Sequence, residues 1–243
     1  MPNVYSSVPS LLAHRGASAY APENTAAAIR KAAELGATWC EVDVTISADQ
    51  VAVIHHDPEL DRCSSGTGLL VKHRLAELKK LDAGSWFAAE FANEKILTLT
   101  ELIGLANALQ LGLNLEIKPT LGLEEQTVLA MQKAFAEIAP LQPILLSSFN
   151  PYALKAAQQH LPSYTRALNS EAIPNDWQTK LEQLGASGLH FWNEFYDAAK
   201  VKEIRQAGFS CMVFTVNDKA TALRYLEEGV NAVFSDKPQL LAD

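Results

Sequence analysis

Nine short apolar runs punctuate the chain, at 11–16, 39–44, 51–57, 113–118, 144–149, 163–168, 188–192, 211–216 and 232–236. They are nearly continuous rather than strictly alternating, which is how strands covered on both faces read. Helix signals fill the segments between them. Asn24 is placed as an N-cap, with Gly36 after the last turn. Thr98 and Glu101 form a capping box ahead of Leu102, Leu105, Ala106 and Leu109, with Gly112 next. Val128, Met131, Phe135 and Ile138 recur at helical spacing. Asn150-Pro151 reads as N-cap and N1, and Asp197 and Asp218 open two further helices. A glycine precedes the next strand at Gly36, Gly112, Gly185, Gly208 and Gly229. Repeated helix–glycine–strand units predict a parallel sheet, because parallel strands need helical crossovers.

A closed (β/α)8 TIM barrel needs eight strands, so one run is surplus. Val44 and Val51 are separated by six residues, Thr45 to Gln50. That gap is too short for a parallel crossover and suits a hairpin. The run at 51–57 is therefore predicted as an antiparallel arm on 39–44, leaving eight barrel strands. Residues 58–97 carry Pro58, Gly66, Gly68 and Gly84 and only short helical pieces, and read as a small insertion. No low-complexity linker divides residues 1–243, which points to a single catalytic domain. The rival, an open doubly wound sheet, is weakened by the lack of a GxGxxG or Walker-type glycine pattern.

Composition narrows the class. Of 243 residues, 48% are hydrophobic and 20% charged, as in an ordinary globular chain. With mean hydropathy of −0.01 and no apolar run near ~18 residues, an integral membrane protein is ruled out. The formal charge of −8 argues against a general nucleic-acid or anionic-membrane binder, and raises the question of how such a chain would handle an anionic substrate. Three cysteines, Cys40, Cys63 and Cys211, are too few and too widely spaced for a disulfide framework or a zinc site. Cys40 and Cys211 read as buried thiols, whereas Cys63 falls in a polar loop. The first ten residues show no signal-peptide pattern, so a cytoplasmic location is expected.

In such barrels chemistry gathers at the C-terminal ends of the strands. There the runs carry His14-Arg15, Glu41 and Asp43, Glu116 and Lys118, Ser147-Ser148, Thr215 and Asn217, and Asp236. Glu41 and Asp43 are two residues apart and so face the same way. With Glu116 they make three hard oxygen donors that suit Mg²⁺ or Ca²⁺. Spacing alone leaves a second reading open, in which the acids merely pair with Arg15 and Lys118. A hairpin turn centred on Ala48-Asp49 pairs Ser47 with Gln50, which sets Asp43 opposite Ile54 and Glu41 opposite His56. His56 then projects beside the carboxylates and His55 away from them, and a one-residue slip would exchange the two. His14 and His56 are thus candidates for an acid–base pair. His73, His160 and His190 read as hydrogen-bonded structural side chains.

An ordered set of motifs resembles the glycerophosphodiester phosphodiesterases: AHRG (13–16), APENT (21–25), Glu41-x-Asp43, His56-Asp57-Pro58, DAGSW (82–86), LEIKP (115–119), LSSF (146–149), FTVN (214–217) and FSDKP (234–238). DAGSW, EIKPT and LSSF look most like the cytoplasmic bacterial branch that accompanies glycerol-3-phosphate uptake. The resemblance implies a barrel with a small inserted subdomain. It also implies metal-dependent hydrolysis of glycerophosphodiesters to an alcohol and sn-glycerol 3-phosphate. It further implies that His14 and His56 are the acid–base pair, that Glu41, Asp43 and Glu116 hold one divalent cation, and that Arg15 and Lys118 contact the phosphate. Phe214 stands where many members have Trp, at a position that would touch the glycerol or the leaving group. A small-molecule substrate is implied, with no nucleic-acid partner and no stable membrane insertion; homo-oligomerisation, the preferred alcohol and the choice of Mg²⁺ or Ca²⁺ stay open. The rival functions are a phospholipase C or D type barrel acting on membrane lipid, and a non-catalytic barrel that binds a phosphodiester. The first is disfavoured by the lack of a basic amphipathic helix, the second by the completeness of the residue set.

Overall fold

The computed structural model describes residues 4–242. Eight parallel strands close into a (β/α)8 barrel: β1 (Leu11–His14), β2 (Trp39–Ile46), β4 (Gly112–Ile117), β5 (Ile144–Ser148), β6 (Thr165–Ser170), β7 (Gly188–Trp192), β8 (Ser210–Phe214) and β9 (Ala232–Ser235). Closure comes from β1, which pairs with both β2 and β9. The ninth strand, β3 (Ala52–Ile54), lies antiparallel on β2 as the hairpin arm. Helices α1 (Ala26–Glu34), α3 (Leu99–Leu109), α4 (Glu124–Glu137), α5 (Pro151–His160), α6 (Trp177–Leu184), α7 (Ala198–Gln206) and α8 (Lys219–Glu227) are the crossovers. β2, β5 and β9 are buried along their whole length, and β1, β4, β7 and β8 at all but one position, which explains their continuous apolar pattern.

The local chemistry of the helix ends follows the sequence with two exceptions. Thr98 and Glu101 form the capping box, Asn150 caps α5 ahead of Pro151, and Asp197 and Asp218 cap α7 and α8. The cap of α1, however, is Thr25, whose side chain accepts from Ala28 N–H. Asn24 is left-handed, with φ of 61°, and is directed to other work. At the end of α3 the left-handed position is Gln110 rather than Gly112. Gly112 instead opens β4, where a Cβ would lie 2.3 Å from the Trp39 ring. It is a space requirement of the barrel floor and not a helix stop.

The β2–β3 turn also differs from the two-residue loop read from the sequence. Ser47 N–H donates to Val51 C=O, and Gln50 takes a left-handed conformation. This is a three-residue loop, so the register moves by one and Val44 faces Ile54.

Residues 58–97 contain α2 (Leu75–Leu78) and short 3-10 turns over a cluster of Leu60, Leu70, Leu78, Ala83 and Ile96, which packs on Val53 of β3. Asp82 of the DAGSW stretch organises the end of this segment by accepting from the backbone of Gly84, Ser85 and Asn93. Cys63 lies in a loop of this segment, as read, and is buried there.

Inside the barrel, an apolar layer of Leu12, Trp39, Leu145, Ala167 and Met212 fills the bottom together with Tyr5 from the 3-10 turn Val4–Ser7. The polar residues lie above it, at the C-terminal mouth.

Candidate active site

The three carboxylates converge as strand alternation requires. Asp43 and Glu116 are register partners on β2 and β4, and Glu41 lies two residues below Asp43. Oxygen atoms of Glu41, Asp43 and Glu116 come within 4.8 Å of one another. Burial, together with the charges of Asp43 and Glu116, pushes the Glu41 carboxyl well above its ordinary range. Burial and Asp43 push Glu116 up to about 7. Asp43 goes the other way, because Arg15, Lys118 and His56 favour its anion by more than burial opposes it. Crowded, desolvated carboxylates of this kind are relieved by a cation, and an all-oxygen donor set fits a hard ion such as Mg²⁺ or Ca²⁺. The donor chemistry therefore matches the metal that the motifs imply.

Basic groups are laced into the same cluster. Arg15 follows β1 in a left-handed conformation and donates its backbone N–H to Glu41 Oε2 at 3.0 Å. Its guanidinium meets Glu23 at 2.8 Å and lies 3.5 Å from Asp43. Lys118 Nζ lies 3.7 Å from Asp43 and 3.8 Å from Glu116. Asp43 is also held by Asn24, which donates from Nδ2 at 2.8 Å and accepts the Asp43 backbone N–H.

The two candidate histidines flank the carboxylates, and each has an acid on its Nδ1. His14 donates to Asp236 Oδ1 at 2.7 Å, and its Nε2 lies 3.9 Å from Glu41. His56 donates to Asp57 Oδ1 at 2.5 Å. Desolvation is the main cause that lowers the His56 pKa. Engaging Nδ1 leaves Nε2 as the nitrogen free for chemistry. Both rings line one cavity, open at the mouth, together with Arg15, Glu41, Glu116 and Lys118.

His56 reaches the cavity by a route other than the predicted register. In the observed ladder His55, not His56, lies opposite Asp43, and it donates its backbone N–H to Asp43 C=O. β3 ends at Ile54, the chain bends at His56, and alternation no longer decides where side chains point. His55 is buried away from the mouth and its Nε2 donates to Glu59 C=O.

Phe214, at the end of β8, lines the same cavity and meets Phe149 edge-on at 5.7 Å between centroids. All eight residues singled out by sequence are thus brought to one mouth. Sequence reasoning missed the groups that orient them. Glu23, Asp57 and Asp236 lay within the quoted motifs but were given no role, and Asn24 was read only as a helix cap. Arg62, which joins Asp57 to Glu23 with four contacts of 2.6–3.0 Å, carried no signal, since its partners are assembled only by the insertion.

Comparisons with known proteins agree with this geometry. Residues 14–240 match the model of the glycerophosphoryl diester phosphodiesterase family. A glycerophosphodiester phosphodiesterase of Caldanaerobacter subterraneus is 33% identical over 236 residues, covering 95% of each chain. Among solved structures, a phosphodiesterase of Oleispira antarctica in complex with the product sn-glycerol-3-phosphate superposes with a TM-score of 0.95. It is 45% identical, with 97% of this chain and 96% of that one covered. A glycerophosphodiester phosphodiesterase of Agrobacterium tumefaciens gives a TM-score of 0.81 at 25% identity, with 97% and 99% covered. On the extent of these matches, the chain belongs to the glycerophosphoryl diester phosphodiesterase family.

Proposed function

We propose that the chain hydrolyses glycerophosphodiesters to an alcohol and sn-glycerol 3-phosphate, with His14 and His56 exchanging protons across the carboxylate cluster. The observation that carries this reading is the pair of histidines, each anchored through Nδ1 to a carboxylate and each lining the cavity beside the cluster of Glu41, Asp43 and Glu116. The product bound by the Oleispira relative supports it. The motif resemblance to the branch that accompanies glycerol-3-phosphate uptake supports a cytoplasmic, catabolic setting; no described helix is long and apolar enough to cross a membrane.

The phosphodiester is a monoanion whose transition state gathers charge on the non-bridging oxygens. Arg15 and Lys118 bring positive charge to the cavity, Arg15 as a planar fork and Lys118 as a point charge. Held by Glu41, Asp43 and Glu116, a divalent cation would supply further charge neutralisation at the phosphoryl oxygens. One histidine accepts the proton of the attacking hydroxyl at Nε2, while the other, protonated, gives its proton to the departing alkoxide oxygen. The attacking group in this reading is the neighbouring hydroxyl of the glycerol. Its oxygen bonds to phosphorus as the bond to the alcohol breaks, giving a cyclic phosphate that water opens with the histidine roles reversed. Phe214 and Phe149 offer apolar surface beside the reacting centre.

The test is a coupled assay for glycerol 3-phosphate across a panel of diesters in Mg²⁺ and in Ca²⁺. Release of glycerol 3-phosphate supports the reading, and turnover of lipid diesters in preference to deacylated ones overturns it. Oxygen-18 water with trapping of a cyclic phosphate separates hydroxyl attack from direct attack by water.

A further inference from the structure

Beside the catalytic cavity a second cleft opens between α5 and α6, and Phe149 lines both. Phe149 directly follows β5 and is 44% exposed, so its ring stands at the border of the two. Leu168 and Pro174 contribute apolar lining to the cleft. Its charged lining is Lys155 and Lys180, with no described carboxylate. The catalytic side of the mouth is the opposite, since Arg15, Arg62 and Lys118 are each tied to an acid there. Both lysines of the cleft stand toward the mouth. A barrel helix begins beside the C-terminal end of the strand before it. Lys155 and Lys180 lie in the first turn and a half of α5 and α6 respectively.

Neither ammonium group is committed. Among the described residues, Lys155 has no ion pair and no hydrogen-bond partner for its side chain. It also borders Glu124 and Glu125 in a neighbouring depression, but these are engaged by Asn150 at 3.1 Å and by His160 at 2.8 Å. Lys180 meets Asp176 at 2.9 Å, with both side chains about half exposed. An exposed i,i+4 pair on a helix is weak enough to be exchanged for a stronger anion. Two lysines over apolar surface, with Phe149 between them and the catalytic cavity, suit the far end of an elongated substrate. Its carbon skeleton would lie against the ring and a second anion beyond it.

On the reading that the cavity hydrolyses glycerophosphodiesters, we infer that Lys155 and Lys180 form a subsite for a phosphate carried by the departing alcohol, so that the enzyme favours diesters whose leaving group is itself anionic. The charge of the whole chain argues the reverse. At −8, a further negative charge on the substrate is disfavoured at long range, so a preference for it has to be local. The contact lies away from the bonds that change and is made equally before and during the reaction. It therefore lowers KM and leaves kcat as it is.

The test compares sn-glycero-3-phosphoinositol with its derivative phosphorylated on the inositol 4-hydroxyl, two diesters that differ only by that phosphate. At about 25 mM salt the wild type is expected to favour the phosphorylated diester by about 3- to 10-fold in kcat/KM, through KM, and to lose most of that preference at about 300 mM. Lys155→Gln combined with Lys180→Gln is expected to abolish or reverse the preference, and Lys155→Gln alone to give an intermediate value. Lys133→Gln combined with Lys202→Gln makes the same change in net charge on α4 and α7, outside the cleft, and is expected to keep the preference. Circular dichroism reports the folding of each variant. Equal or lower kcat/KM on the phosphorylated diester by the wild type at low salt overturns the subsite while the proposed function stands. A preference that survives the loss of Lys155 and Lys180, or that falls equally with Lys133 and Lys202, overturns it as well. Absence of glycerol 3-phosphate from both diesters removes the proposed function itself, and this inference with it.

Discussion

Asp236→Asn isolates what the carboxylate behind His14 contributes. Both of its oxygens accept: Oδ1 from His14 Nδ1 at 2.7 Å and Ser18 Oγ at 2.9 Å, and Oδ2 from Asn217 Nδ2 at 2.5 Å. Asn217 cannot turn to compensate, because its Oδ1 already accepts from Ser235 Oγ and from Asp236 N–H. An amide has one oxygen, so it must face a donor with its NH₂ on one side. If that side is His14, the ring is forced to carry its proton on Nε2, and kcat should fall about 10²–10⁴-fold. Stability should fall as well. Against the effect of burial, the bond and charge of His14, helped by Asn217 and Ser18, hold the Asp236 carboxyl down at about 2, from 3.8. At ~1.4 kcal/mol per unit this is about 2 kcal/mol, and solvent screening of a side chain near one-third exposed reduces it to roughly 1–2 kcal/mol. For a chain of this length that is a Tm shift of about 2–8 °C. A depressed carboxyl stabilises fully above its unfolded pKa and loses that contribution as pH falls through the folded one. The gap in urea midpoint between wild type and variant should therefore be full at pH 6 and narrow as pH falls below about 4 toward 2. A variant with wild-type kcat refutes the orienting role, and an equal destabilisation at pH 6 and pH 3 refutes the electrostatic account.

His14→Ala and His56→Ala should each lose about 10²–10⁴-fold in kcat with folding intact by circular dichroism, and full activity in both would end the acid–base assignment. Chelation with EDTA should abolish turnover and added Mg²⁺ or Ca²⁺ should restore it, while Asp43→Asn should weaken calorimetric binding of the ion. Arg62→Ala should lower kcat by about tenfold by freeing Asp57 behind His56, with Arg62→Lys recovering only part because a lysine cannot bridge Asp57 and Glu23 as a fork. Burial pushes the Cys63 thiol up to about 12, so its reaction with a thiol reagent at pH 8 should be about 10³-fold slower than that of a free cysteine.

The barrel was legible because its strands are buried on both faces and its helices carry their own stop and start chemistry. Every apolar run became a strand, and the six-residue gap correctly separated the hairpin arm from the eight barrel strands. What failed was decided by single backbone conformations. Gln50 adopts a left-handed angle that lengthens the turn by one residue and shifts the register, and Gln110 does the same work at a helix end that a glycine was expected to do. Neither residue type announces that geometry, whereas the space that Gly112 leaves for Trp39 is a tertiary fact with no local signature. His56 reaches the cavity although the predicted register is off by one, since the bend after Ile54 cancels the slip. The orienting acids were hidden for a different reason. Asp57 and Asp236 act through pairings with His56 and His14, one of them across more than two hundred residues, and pairing at that range is a product of closure.

The acidity of the chain bears on the metal more than on the substrate. Around the mouth, Glu23, Glu41, Asp43, Asp57, Glu116 and Asp236 outnumber Arg15, Arg62 and Lys118, and each of those bases is already shared between two carboxylates. A phosphodiester entering the cation-free cavity would therefore meet bases whose charge is already shared, beside an Asp43 whose anion Arg15 and Lys118 favour. Two like charges 4 Å apart at an effective dielectric of ~20 repel by about 4 kcal/mol, more than a pair of surface contacts returns. Glu41, Asp43 and Glu116 would hold a divalent ion, whose charge would offset theirs and leave Arg15 and Lys118 freer to face a phosphate. The net charge of −8 is screened over roughly 8 Å at physiological salt and does not reach into this balance. On the proposed reading, anion recognition in this barrel would be a local property of the residues at the mouth rather than of the surface charge.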